Sequence, residues 1–188
     1  MRVFIAVDIG EEIQAGLGDL QKQLQDRVDF AGSDVKWVDP ELIHLTLKFL
    51  GEVGNSKVAD VCDIVAKTAG GHKRFELDVA GLGYFGKNAA KVLWVGTGQN
   101  KSLLGLQKDI EQALAAVGWA EDARQFAGHL TLCRIRNPKA GRKLAAISKD
   151  YQDLQIGSWT ADSVCVYQSR LTPAGPVYTA LSRTQLSS

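Results

Sequence analysis

Two tetrapeptides carry the chemistry open to this chain: His44-Leu45-Thr46-Leu47 and His129-Leu130-Thr131-Leu132. They lie 85 positions apart and use two of the three histidines. Side chains alternate faces along a strand, so a His and a Thr two residues apart project from one side. Two such strands brought together aim two imidazoles and two hydroxyls into one small volume. An imidazole titrates near ~6.5, so at neutral pH one ring of a pair can hold a proton while the other is free to take one. That state suits acid–base work on a phosphodiester. One ring removes a proton from the attacking oxygen, and the other protonates the departing oxygen. Threonine hydroxyls can bond the non-bridging oxygens and position the phosphorus. His44 and His129 are thus the expected catalytic pair, with Thr46 and Thr131 as substrate-binding residues.

Other chemistries fit less well. Zinc catalysis normally needs three protein ligands, and no third ligand stands at a suitable offset from either motif, so no metal and no cofactor is expected. No Gly-x-Ser-x-Gly elbow is present. Gly81-x-Gly83-x-x-Gly86 matches a dinucleotide-binding pattern by letters, but turn and strand, not a helix, are expected after it. His72, between Gly71 and Lys73, falls in an expected loop.

The elements that must position these residues follow from apolar periodicity. Strands are expected at 3–7, 34–39, 43–50, 75–79, 91–95, 130–135, 159–167 and 177–181. Helices are expected at 11–27, from Val58 to the Gly70-Gly71 pair, at 102–117, and after Asn137-Pro138. The segment holding Gly81, Gly83 and Gly86 reads as turn-rich, and 172–176 as a turn. On an ideal strand His44, Thr46 and Lys48 share one face, and Leu45, Leu47 and Phe49 share the other. Phe49 is therefore expected in the core, with stacking against a base as the alternative. Each half of the chain offers a helix, a motif strand and another helix. The expected fold is α+β: two similar lobes, each a mostly antiparallel sheet backed by helices, with the active-site cleft between them. Residues 1–188 are expected to form one domain of two pseudo-symmetric lobes.

Composition sets the class. With 45% hydrophobic and 23% charged residues and a net charge of +1, the chain reads as an ordinary globular protein. Charge is unevenly spread. Residues 123–149 hold no acid but carry Arg124, Arg134, Arg136, Lys139, Arg142, Lys143 and Lys149. Such a field suits a phosphate or a polyanion; it also suits a solvated loop and helix balanced by acids elsewhere. Cys62, Cys133 and Cys165 show neither metal spacing nor a disulfide framework, which fits reduced thiols in the cytoplasm. No apolar run approaches the ~20 residues of a membrane span, and no signal peptide is read at the start. A monomer is expected.

The chain resembles the two-histidine phosphoesterases, and within them the RNA 2′,3′-cyclic phosphodiesterases, historically called 2′-5′ RNA ligases. The resemblance rests on Phe4-Ile5-Ala6-Val7-Asp8, on Trp37-Val38-Asp39-Pro40 leading to His44 through Gly51, and on Val92-Leu93-Trp94-Val95-Gly96. It continues through Phe126 to Arg134 and the tail Tyr167-Gln168-Ser169-Arg170-Leu171 with Gly175 and Tyr178. It implies a metal-free hydrolase that opens a 2′,3′-cyclic phosphate on RNA ends or small nucleotides and leaves a 2′-phosphate. It also implies His44 as acid toward the leaving 3′ oxygen, His129 as the base that activates water, and Arg134 as a phosphate contact. Gly128 stands where the family usually has Pro. Under strict alternation Arg134 falls on the face opposite His129. A bulge or strand end must redirect it, or its contact is indirect, or the assignment does not carry over. The alternative activities are the reverse reaction, 2′-5′ RNA ligation, and binding of RNA or nucleotides without turnover.

Overall fold

The computed structural model describes residues 1–173 and 175–188. Its frame is one sheet of nine strands: β1 (Arg2–Asp8), β2 (Val35–Trp37), β3 (His44–Glu52), β4 (Phe75–Phe85), β5 (Val92–Gly96), β6 (His129–Ile135), β7 (Gln155–Ala161), β8 (Ser163–Thr172) and β9 (Gly175–Gln185). The order is β7-β4-β5-β6-β3-β1-β8-β9, with β2 added on β6, and these strands pair antiparallel. The helices are α1 (Glu11–Asp26), α2 (Val58–Ala69), α3 (Lys101–Ala115) and α4 (Pro138–Ile147).

The sheet has two wings. One is β3-β1-β8-β9 and the other β7-β4-β5-β6 with β2. They join where β3 and β6 meet through a single residue pair, Leu45 opposite Leu130. Beyond that contact β3 leaves, and β2 takes up the edge of β6, with Trp37 opposite Cys133 and Lys36 opposite Arg134. The two leucines are fully buried, which is what their alternation with His and Thr predicts. Burial of each contributes about 1.5–3 kcal/mol.

Each wing draws strands from both halves of the chain. Helices cross over as well: α1 packs on β7 and α4 on β6, whereas α2 packs on β8 and β9 and α3 on β3. The helix–motif strand–helix order of each half holds, but the spatial lobes are not the sequence halves.

Four expected elements change. The strand expected at 34–39 shortens to Val35–Trp37. The strand at 75–79 continues to Phe85, because Gly81 adopts φ +72° and absorbs a bulge between Ala80 and Leu82. The strand expected at 159–167 is two strands that break at Asp162. Its first part pairs with β4 in one wing and its second with β1 in the other. The strand expected at 177–181 is longer, running Gly175–Gln185. The turn expected at 172–176 contains Ala174, which lies outside the described residues. The basic helix after Asn137-Pro138 forms as α4, its N-terminus capped by the Asn137 side chain on the Lys139 and Ala140 amides at 2.8 and 3.4 Å.

Candidate active site

At the junction of the wings lies a cleft of about 890 Å³, lined by His44, Thr46, His129, Thr131 and Arg134 among others. All five residues singled out from the sequence are therefore brought together. The two motifs are built alike. The Nδ1–H of His44 donates to the Leu42 carbonyl at 2.9 Å, and that of His129 to the Ala127 carbonyl at 2.7 Å. A carbonyl only accepts, so each neutral ring carries its hydrogen on Nδ1 and keeps the Nε2 lone pair free. The Leu42 carbonyl is delivered by a short turn, Pro40–Leu42, whose start is capped by Asp39 on the Glu41 amide at 3.1 Å.

Aromatic rings fix both imidazoles. His44 stacks on Phe4 at 4.7 Å and meets the edge of Tyr178 at 5.3 Å. His129 lies edge-on to Phe85 at 4.9 Å, with Trp94 at 6.1 Å. Trp94 lies across Gly83, where a Cβ would overlap the indole. Gly83 thus seats the ring that backs His129. The dinucleotide-like glycines serve a strand bulge and an aromatic seat, not a nucleotide loop.

Both motif strands carry a bulge directly after the threonine. On β3, Ile5 and Ala6 oppose Lys48 and Thr46, which leaves Leu47 as the extra residue. On β6, Leu93 and Trp94 oppose Cys133 and Thr131, which leaves Leu132 extra. An extra residue inverts the facing of everything beyond it. Arg134 consequently lies on the cleft face, which resolves the conflict with strict alternation. Phe49 is inverted too. It is 68% exposed and lines the cleft, so the expectation of core packing is wrong. Lys48 moves the opposite way, away from His44 and Thr46. It is 7% exposed, forms a buried ion pair with Glu111, and donates to the Ala120 carbonyl at 2.9 Å.

The electrostatics of the rings differ. Burial lowers the His44 pKa, opposed by its bond to the Leu42 carbonyl and by the charge of Asp8, its cross-strand neighbour. Asp8 accepts from the Tyr167 hydroxyl at 2.7 and 2.9 Å and pairs with Arg183 at 2.6 Å. Burial raises the Tyr178 phenol pKa, and the Arg134 charge works against it, so the field of Arg134 reaches the opposite wing.

Of the basic stretch 123–149, Arg134 and Arg136 line the cleft, joined by Lys36 from β2, while Arg142 and Lys143 of α4 lie on its exposed face. Lys36 and Phe85 were not singled out from the sequence; Lys36 lies in an expected strand beside Trp37, and Phe85 in a segment read as turn-rich. Among the described residues no three His, Cys, Asp or Glu side chains group as metal ligands. Burial pushes the Cys133 thiol up to about 12 and the Cys165 thiol up to about 11, so both stay protonated at neutral pH. Gly128 lets the two segments approach closely: a Cβ there would overlap the Thr97 hydroxyl. Its carbonyl accepts the Thr97 amide at 3.2 Å, and this bond anchors the start of β6.

Paired His-x-Thr strands meeting in one cleft of a two-winged antiparallel sheet define a two-histidine phosphoesterase. The chain belongs to the LigT-like phosphoesterase family, whose pattern matches it twice, at residues 7–94 and 95–178. It is 34% identical over 180 residues to the RNA 2′,3′-cyclic phosphodiesterase of Methanothermobacter thermautotrophicus, covering 95% of each chain. It is 31% identical over 187 residues to that of Thermotoga maritima, covering 98% of this chain and 95% of the relative. The crystal structure of TT0787 of Thermus thermophilus shares the fold at a TM-score of 0.82 and 28% identity, covering 99% and 98% of the two chains. Escherichia coli LigT complexed with 3′-AMP has the same fold, with a TM-score of 0.78 and 23% identity over 100% of this chain and 98% of that one.

Proposed function

We infer that this protein is an RNA 2′,3′-cyclic phosphodiesterase that opens the cyclic phosphate at an RNA end, or on a small nucleotide, to a 2′-phosphate without a metal. The observation that carries the reading is the matched pair of imidazoles in one cleft, each with Nδ1 bonded to a carbonyl and Nε2 left free. Thr46, Thr131 and Arg134 hold the phosphate between them. His129 takes a proton from water as it attacks phosphorus, and the bond to the 3′ oxygen breaks. Protonated His44 gives that oxygen its proton, so the product keeps the 2′ ester. Burial alone withdraws the proton from His44; the anionic phosphodiester and Asp8 act in the opposite sense and favour the imidazolium when substrate is bound. The exposed ring of Phe49 offers a face for a base, and Lys36 and Arg136 extend the positive field toward further phosphates.

The cleft is complete within one chain, which supports a monomer acting as one two-lobed domain. Three free cysteines, two of them buried with raised pKa values, suit a reducing cytoplasm. No helix among the described residues is long and apolar enough to cross a membrane.

The test is to incubate the protein with 2′,3′-cyclic AMP in EDTA and resolve the products. The expected result is 2′-AMP formed at an undiminished rate. Formation of 3′-AMP, or loss of activity in the chelator, would overturn the assignment. Adding a 5′-hydroxyl RNA to an RNA ending in a cyclic phosphate reads out the ligase direction in the same assay.

A further inference from the structure

At each bulge after a motif threonine the carbonyl of the extra residue meets a glutamine. Gln21 of α1 is 5% exposed and sits among Leu17, Leu20 and Leu24 of the same helix face. Its Nε2 donates to the carbonyl of Leu132, the extra residue of the β6 bulge, at 3.0 Å. It also donates to the Val38 carbonyl at 2.7 Å. A buried amide in apolar surroundings is costly unless its hydrogens are bonded, and both Nε2 hydrogens are used here. Val38 directly follows β2 and returns its own N–H to the Leu132 carbonyl at 2.8 Å. One side chain thus ties the bulge of β6 to the cleft wall formed by β2. Gln107 of α3 repeats the arrangement more loosely, at 3.5 Å from the Leu47 carbonyl and 3.3 Å from Glu111.

Only this bulge places Arg134 on the cleft face, two residues beyond Leu132. We propose that Gln21 is a positioning residue: by clamping the Leu132 and Val38 carbonyls it holds the β6 bulge and so aims Arg134 at the substrate phosphate. The inference rests on the role given to Arg134 in the proposed function. Gln21 touches neither substrate nor either imidazole. Because Leu132 keeps its bond from Val38 when the glutamine is lost, the strand relaxes without unravelling.

The experiment is a double-mutant cycle on 2′,3′-cyclic AMP, with kcat/KM and Tm measured for wild type, Q21M, R134A and the double variant. Methionine keeps the length and volume of glutamine and lacks the donor. Q21M is expected to lower kcat/KM roughly tenfold, as small misplacements of binding groups do. In the R134A background the same change is expected to have little effect on activity, while its Tm decrease is equal in both backgrounds. Independent losses that multiply in the double variant would overturn the inference, as would full activity in Q21M alongside a clear loss in R134A. Full activity in R134A would remove the Arg134 assignment and this inference with it. If Q21M does not fold, Q21N, whose amide falls one methylene short, replaces it in the cycle with the same outcomes.

Discussion

His44 and His129 sit on matching strands, each ring bonded through Nδ1 to the carbonyl two residues before it, each strand bulged at the same place, yet their surroundings diverge. Across the sheet from His44 stands Asp8; across from His129 stands Gly96. His44 lies flat on Phe4, which stacks in turn on Tyr167, itself bound to Asp8. His129 stands edge-on to Phe85, with Trp94 tilted beside it. Five residues beyond each histidine the first copy has Phe49 and the second Arg134, both turned into the cleft. The duplicated frame supplies equivalent directions, and the substituents make them unequal. One wing combines a carboxylate near the ring with an apolar platform, which suits a proton donor and a base. The other combines an uncharged neighbour with a guanidinium, which suits a proton acceptor and a phosphate.

The most drastic way to break this comparison is to remove either ring. H44A and H129A are each expected to lower kcat by about 10²–10⁴. Circular dichroism should stay unchanged, since neither ring belongs to the apolar core. Near-normal turnover in either variant would abolish the division of labour.

The positions five residues on should separate next. R134A is expected to lose about 10- to 100-fold in kcat/KM, the range of a hydrogen bond to a charged group. The loss should be similar for all bases, and the salt dependence on short RNAs should become shallower. F49A is expected to raise KM for base-bearing substrates by roughly 5-fold or more, as loss of a stacking face does, with an unchanged salt slope. Identical signatures for the two variants would mean that the ends of the cleft are not specialised.

The smallest expected effect is at Asp8. Its charge favours protonated His44, so D8N lowers the His44 pKa further. At alkaline pH the active fraction scales with protonated His44, and a loss appears. At acidic pH His44 is fully protonated with or without the Asp8 charge, and the loss vanishes. The ratio of wild type to D8N should therefore grow severalfold from acidic to alkaline pH. A ratio independent of pH would show that Asp8 acts on structure alone.

The convergence of His44 and His129 on one cleft was legible from the sequence because His and Thr recur at strand spacing between leucines, and the two copies need only meet. Helices α1 to α3 were legible from their apolar stripes, and α2 and α3 end at or near glycines. The facing of Lys48, Phe49 and Arg134 was not legible. A bulge is a mismatch of register between strands distant in sequence, and Leu47 and Leu132 look like any other strand residues. Gly81 and Gly83 read as turn formers when considered alone; their partners, a displaced ladder and the Trp94 indole, come from β5. The break at Asp162 was hidden because an unbroken β-prone segment gives no sign that its two ends pair with different wings.

That last crossing has a consequence for the integrity of the molecule. A cut near residue 95, between the two repeats, would not release two half-enzymes. Each fragment would own strands from both wings, β1 to β5 in one and β6 to β9 in the other, and would bare the seams β1|β8, β4|β7, β5|β6, β2|β6 and β3|β6 at once, edges that invite aggregation. The repeats are stitched through one another.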